Sequence, residues 1–196
     1  MEVILDKVMT FIAKDNEFDE EEAEVVKYGL EIVITRVIFA IVIVVVGLLM
    51  GCFFESVVFA ISFSLLREYG GGYHAETRKK CFVLSILTLV AALSIIKLAE
   101  NFQILALPIW GIALVSVIYI LLKVPIDTPN KRFDEDEMKV YGRKARLLTV
   151  ILLAAAALLW FLNLGDFTFT ILTGIIIQAY LMIKGQISNY INGEEV

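Results

Sequence analysis

Histidine and cysteine are scarce in this chain, which holds one histidine, His74, and two cysteines, Cys52 and Cys81. Two cysteines do not make the disulfide framework of a small secreted domain. One histidine and two cysteines cannot supply the three or four ligands of a zinc site without carboxylates in an unusual arrangement. No HExxH or comparable cluster exists, so a metalloprotease or a metal-dependent lipid-modifying enzyme would lack its ligands. No metal or organic cofactor is called for. A cleavable signal peptide is not expected either, because the first eighteen residues carry charges throughout and no small-residue cleavage site.

Apolar residues, by contrast, are abundant. They make up 59% of the 196 residues, against the roughly 45–50% of a soluble domain, and the mean hydropathy is +0.82. Such a chain cannot cover its apolar residues with its own surface. The expectation is one all-α membrane domain, residues 1–196, with six transmembrane helices and an N-terminal amphipathic helix.

Six apolar stretches lie near 32–52, 53–66, 82–98, 102–122, 147–163 and 167–184. The second falls short of the roughly 20 residues a span needs, and a tight turn carrying Cys52 separates it from the first. Before them, residues 1–14 place Met1, Ile4, Leu5, Val8, Phe11 and Ile12 on one stripe of a helix, with Glu2, Asp6, Thr10 and Lys14 opposite. Residues 1–18 therefore read as an amphipathic helix, lying in the membrane interface or packed on the protein's own cytoplasmic face. Asp19 followed by Glu22 resembles a capping box that starts a helix running into the first span. The longest loop, 123–146, begins extended or turned at Pro125 and Pro129 and continues as a charged stretch able to form a short helix.

Counting Arg36 and Lys184 as span-end residues, sixteen of the seventeen cations fall before the first span, between the second and third, between the fourth and fifth, and after the sixth. Lys97 alone lies on the other side. By the positive-inside rule both termini and the 67–81 loop are expected in the cytoplasm, with Cys52 outside and unable to pair with Cys81.

That loop, REYGGGYHAETRKKC from Arg67 to Cys81, holds the chemistry. Cysteine is the strongest intrinsic nucleophile among side chains, but as thiolate. Arg78, Lys79, Lys80 and the start of an apolar helix all favour a thiolate at Cys81. His74 offers a base whose ordinary pKa, about 6.5, suits neutral pH. On a straight helix, seven residues would separate the two by roughly 10 Å of rise, too far for proton transfer. The chain must bend between them, and Gly70, Gly71 and Gly72 supply freedom just upstream. The bland readings are an inert or lipidated cysteine, a surface histidine, and an Arg67 that anchors its span at the headgroups.

Arg67, Gly72, His74, Ala75 and Cys81 together resemble the accessory gene regulator B family, membrane endopeptidases of Gram-positive quorum sensing. Tyr28-Gly29-Leu30-Glu31, Pro125, Asp127-Thr128 and Asn130-Lys131 look like that family too, while Arg132 stands where the family usually has proline. The resemblance implies that Cys81 attacks the scissile carbonyl of a small propeptide, with His74 as general base and then acid. An acyl-enzyme thioester forms, and a side chain within the peptide captures it to close a thiolactone or lactone. Arg67, Gly72, Asp127, Asn130 and Lys131 would bind substrate or shape the site, with Asp127 or Asn130 able to orient the histidine. The substrate implied has an amphipathic leader and an acidic tail attracted to Arg78, Lys79, Lys80, Lys131, Arg132, Arg143, Lys144 and Arg146.

The expected partners are thus that propeptide, the lipid bilayer of a bacterial cell membrane, and a second copy paired through the small-residue face of Gly47 and Gly51; no nucleic acid is expected. The alternative from another class is a non-enzymatic transporter or binding partner for a small peptide, against which stands the shortage of intramembrane charge.

Overall fold

The computed structural model describes residues 19–73, 75, 77–127 and 134–191. The expected 1–18 helix, His74, Asn130, Lys131 and Arg132 lie outside the described residues. Within them are six α-helices: α1 (Glu20–Leu49), α2 (Phe53–Gly70), α3 (Arg78–Asn101), α4 (Ala106–Lys123), α5 (Glu135–Phe161) and α6 (Gly165–Ile191). A short 3-10 turn, Gln103–Leu105, joins α3 to α4. Five of the helices, all but α2, are long and apolar enough to cross a membrane, so the chain is a multi-pass membrane protein. The exception has a local cause: the eighteen residues of α2 carry Glu55 in the first turn and Arg67 and Glu68 towards the last.

The chain divides into two compact units, Met1–Ile43 and Val44–Val196. The first holds most of α1, which starts where its sequence says it should. The Glu22 amide donates to Asp19 Oδ1 at 2.7 Å, and the Asp19 amide donates back to Glu22 Oε2 at 3.3 Å. Two of the free N–H groups at the helix start are thereby satisfied.

The second unit is built around α6, which packs against α2, α3, α4 and α5. Leu172, Ile175 and Met182 of α6 are fully buried, together with Leu66, Leu93, Ile96 and Ile120. Lipid tails are as apolar as leucine, so van der Waals packing rather than water exclusion holds such helices together, and small residues let them approach. Gly174 shows this: a Cβ there would lie 3.4 Å from Ser62 Oγ of α2. The outward faces are apolar as well, with Leu107 and Leu122 of α4 and Leu147, Val150 and Ile151 of α5 all exposed. Such faces suit hydrocarbon, where every backbone polar group is satisfied inside its own helix.

Two expectations change. Residues 135–146 are not a loop or a separate short helix but the first three turns of α5, started by a full capping box between Asp134 and Glu137. Gly47 is buried, and its missing side chain makes room for Ser56 of α2, whose Oγ would lie 2.2 Å from a Cβ. Gly51 follows the helix in a turn at φ +65°. These two glycines therefore form no continuous helix face for a second copy; Gly47 serves a contact within the chain.

Candidate functional site

Arg67, Gly72, Cys81 and Asp127 all belong to the end of the second unit where α2 and α4 finish and α3 begins. α2 stops because Gly71, at φ +66° and ψ −145°, turns the chain out of the helix. A Cβ at Gly71 would sit 2.1 Å from the Ile126 carbonyl oxygen, so glycine is required. Gly72, at φ +100°, is as constrained, because a Cβ there would lie 2.9 Å from both the Leu181 oxygen and an Arg67 nitrogen.

The segment leaving α2 then runs parallel to the one leaving α4. Gly71 and Ile126 form a parallel bridge. The Ile126 amide donates to the Gly70 carbonyl at 3.0 Å, and the Gly72 amide donates to the Ile126 carbonyl at 3.1 Å. Both segments rest on α6. The Tyr73 amide donates to the Leu181 carbonyl at 2.9 Å, and Gly185 admits this approach, since a Cβ there would stand 2.8 Å from the Tyr73 nitrogen. Gln178 donates to the Gly71 carbonyl at 3.2 Å and Asn189 to the Asp127 carbonyl at 2.7 Å. The side chain of Lys184 lies over the Tyr73 ring, 3.9 Å from its centre.

Arg67 closes the turn from inside. Its guanidinium donates to the carbonyls of Gly71 and Tyr73, a use of the planar fork that lysine cannot copy. Burial lowers its pKa to about 10, and Cys81 is near enough for a thiolate there to push it back up. Arg67 therefore stays charged at neutral pH. Of the two roles its position allowed, the hydrogen bonds fit shaping of the site rather than grip on a substrate.

Cys81 lies in the first turn of α3, half-buried. Its amide donates to the carbonyl of the N-cap residue Thr77 at 2.9 Å, and the Thr77 hydroxyl accepts from the Lys80 amide at 3.3 Å. Tyr73, Ala75 and Thr77 are not helical, so the stretch from α2 to Cys81 is not one unbroken helix. Asp127 is half-buried, and its Oδ1 has no hydrogen-bond partner among the described residues.

The family model for accessory gene regulator B matches residues 5–182. The chain belongs to the accessory gene regulator B family. Membership supports a role in quorum-sensing peptide processing. The chain is 28% identical over 162 residues to an AgrB-like protein of Clostridium perfringens strain SM101, covering 79% of this chain and 75% of that one. It is 29% identical over 188 residues to an AgrB-like protein of Listeria monocytogenes strain EGD-e, and 30% identical over 188 residues to one of Listeria innocua; each match covers 91% of this chain and 89% of the relative. No solved structure matches the chain.

Within this family member the bridge brings Arg67, Gly72 and Asp127 together, and Cys81 is within electrostatic range of Arg67. The contribution of α6 did not show in the sequence, where Gln178 and Asn189 look like stray polar residues near the end of an apolar stretch. At the other end, Glu55, Glu100 and Asp166 bring carboxylate oxygens within 4.8 Å of one another. Three separate helix ends supply them, so spacing along the chain gave no hint of the group.

Proposed function

We propose that this protein is a membrane-embedded cysteine endopeptidase and peptide cyclase that cuts the C-terminal tail from a small quorum-sensing propeptide. The observation that carries the reading is Cys81 in the first turn of α3, within electrostatic range of the half-buried cation Arg67 and directly after the segment that bears His74. A helix start presents free N–H groups and partial positive charge, which favour an anion in its first turn.

Cys81 Sγ attacks the scissile carbonyl carbon while His74 takes the thiol proton. The C–N bond then breaks, His74 returns the proton to the departing amine, and the N-terminal fragment stays on Cys81 as a thioester. A cysteine or serine side chain within that fragment attacks the thioester, closing the ring and restoring the Cys81 thiol. Ring closure must outrun hydrolysis, and a site at the membrane edge limits water. Arg67 and Gly72 hold the turn, and Asp127 is the candidate to orient His74; Asn130 and Lys131 follow it in the same loop.

The site end faces the cytoplasm in this account, with both termini on that side. Support comes from the charges: Lys79, Lys80, Lys123, Lys139, Arg143, Lys144, Arg146 and Lys184 belong to the site end of the helices, whereas Lys97 with Glu55, Glu100 and Asp166 belongs to the other. An acidic substrate tail would be drawn to the first group.

A propeptide whose internal ring-closing nucleophile is replaced by alanine tests the chemistry. Deprived of its acceptor, the thioester accumulates, so the intact mass of the protein rises by that of the N-terminal fragment, and hydroxylamine removes the increment. Cleavage of that peptide with no such adduct contradicts the covalent mechanism.

A further inference from the structure

Gln178 and Asn189 are completely or almost completely buried, at 0% and 2% exposure. A buried amide costs free energy unless it is hydrogen-bonded, and in a membrane helix such groups are kept for a reason. The usual reason is to bond one helix to another. Neither does so through its side-chain NH2: Gln178 donates to the Gly71 carbonyl and Asn189 to the Asp127 carbonyl, both on non-helical main chain at the site. At about 100° per residue the eleven positions between them bring both to one face of α6, with Gly185 on the same stripe. Each thus holds one of the two segments that the Gly71–Ile126 bridge joins. Their own carbonyl oxygens, like Asp127 Oδ1, have no partner among the described residues. An apolar side chain would avoid that cost, so holding the helices together is not a sufficient reason for either amide.

We propose that Gln178 and Asn189 are positioning residues for peptide cleavage. Gln178 fixes the glycine turn that leads to His74, and Asn189 fixes the Asp127 backbone so that its carboxylate faces the site. This rests on the peptidase reading above. It assigns α6, which contributes no residue to the expected machinery, the task of setting the register between its two loops.

The test uses the full chain in detergent or vesicles, as wild type, Gln178→Met and Asn189→Leu, which keep about the same size and carry no hydrogen-bond donor. Gln178→Leu and Asn189→Ala are the substitutes if either fails to fold. Hydrogen–deuterium exchange is read at peptides covering 70–73 and 124–127, and kcat and KM are read separately with the propeptide. Loss of one hydrogen bond predicts that exchange in those peptides rises about fivefold or more, with α5 unchanged. It also predicts a fall in kcat of about tenfold with KM nearly constant. Unchanged exchange overturns the proposal. So does increased exchange with unchanged kcat, because the held geometry would then not matter to the reaction. If wild type does not cleave, or Cys81→Ala does, the peptidase reading fails and these amides serve no such reaction; exchange still decides whether they hold the two segments.

Discussion

The amide of Gln178 donates to the carbonyl of Gly71 at 3.2 Å although the two residues are 107 positions apart. The bond ties the last helix to the turn that precedes Cys81. Leu181 and Gly185 extend the same contact along α6. The turn before Cys81 is therefore held by a helix that carries neither Cys81 nor His74, and its failure modes are specific.

Gly185→Ala separates helix propensity from loop docking. Alanine favours a helix interior over glycine by about 1 kcal/mol, which would stabilise α6 by itself. The new Cβ, however, would meet the Tyr73 nitrogen at 2.8 Å. The expected result is lost propeptide processing, with thermal stability no higher than wild type. A more stable and fully active variant would mean that the segment docks elsewhere.

Gly72→Ala meets two obstacles, a φ of +100° and contacts of 2.9 Å to Arg67 and Leu181. Strain of this kind costs about 1–3 kcal/mol. The strain is confined to the turn, so the helices should survive. Circular dichroism should be close to wild type while processing falls by at least about tenfold, as about 1.4 kcal/mol of misplacement would give.

Arg67→Lys keeps the charge and loses the fork that spans the Gly71 and Tyr73 carbonyls. Processing is expected to fail in Arg67→Lys and Arg67→Ala alike, and rescue by lysine would show that charge alone suffices. The pH dependence has a definite sign. The pKa of Arg67 is lowered on folding, so its charged form costs stability at all pH values below about 10 and the cost is relieved above it. Between about pH 6 and about pH 9 this group adds no slope to stability. Loss of activity or stability towards acid in that range must therefore come from groups other than Arg67, which a pH profile of the wild type checks.

The capping box of α5 supplies a contrast. Asp134→Ala removes the acceptor for the Glu137 amide at 2.7 Å, a loss of about 1 kcal/mol. Thermal stability should fall by a few degrees, with kcat per folded molecule unchanged. A fall in kcat equal to that of Gly72→Ala would place the start of α5 in the site.

Much of this fold can be read locally. The apolar stretches locate all six helices among the described residues, five of them because a span needs one continuous run of side chains compatible with lipid. Asp19 and Glu22 mark the start of α1, and the Gly70–Gly72 run marks the break before Cys81. The start of α5 was also open to view in Asp134 and Glu137. Dense charge around it suggests a loop, yet its first turns are helix with solvated side chains. What local reasoning could not supply is which helix holds the turn. Gln178, Gly185 and Asn189 share a face, but an isolated amide or glycine in a span carries no sign of its partner 62 or 107 residues away. The same limit hid the use of Gly47, whose small size admits Ser56 within the chain.

The central claim is that Cys81 cuts a peptide. Wild type and Cys81→Ala are each co-expressed with a propeptide carrying an amphipathic leader and an acidic C-terminal tail, and the peptide is weighed by mass spectrometry. The account predicts a product shortened by its C-terminal tail with wild type and an intact precursor with Cys81→Ala. A shortened product from both would remove Cys81 from the reaction, and an intact precursor from both would make the protein a carrier or binding partner of the peptide rather than its protease.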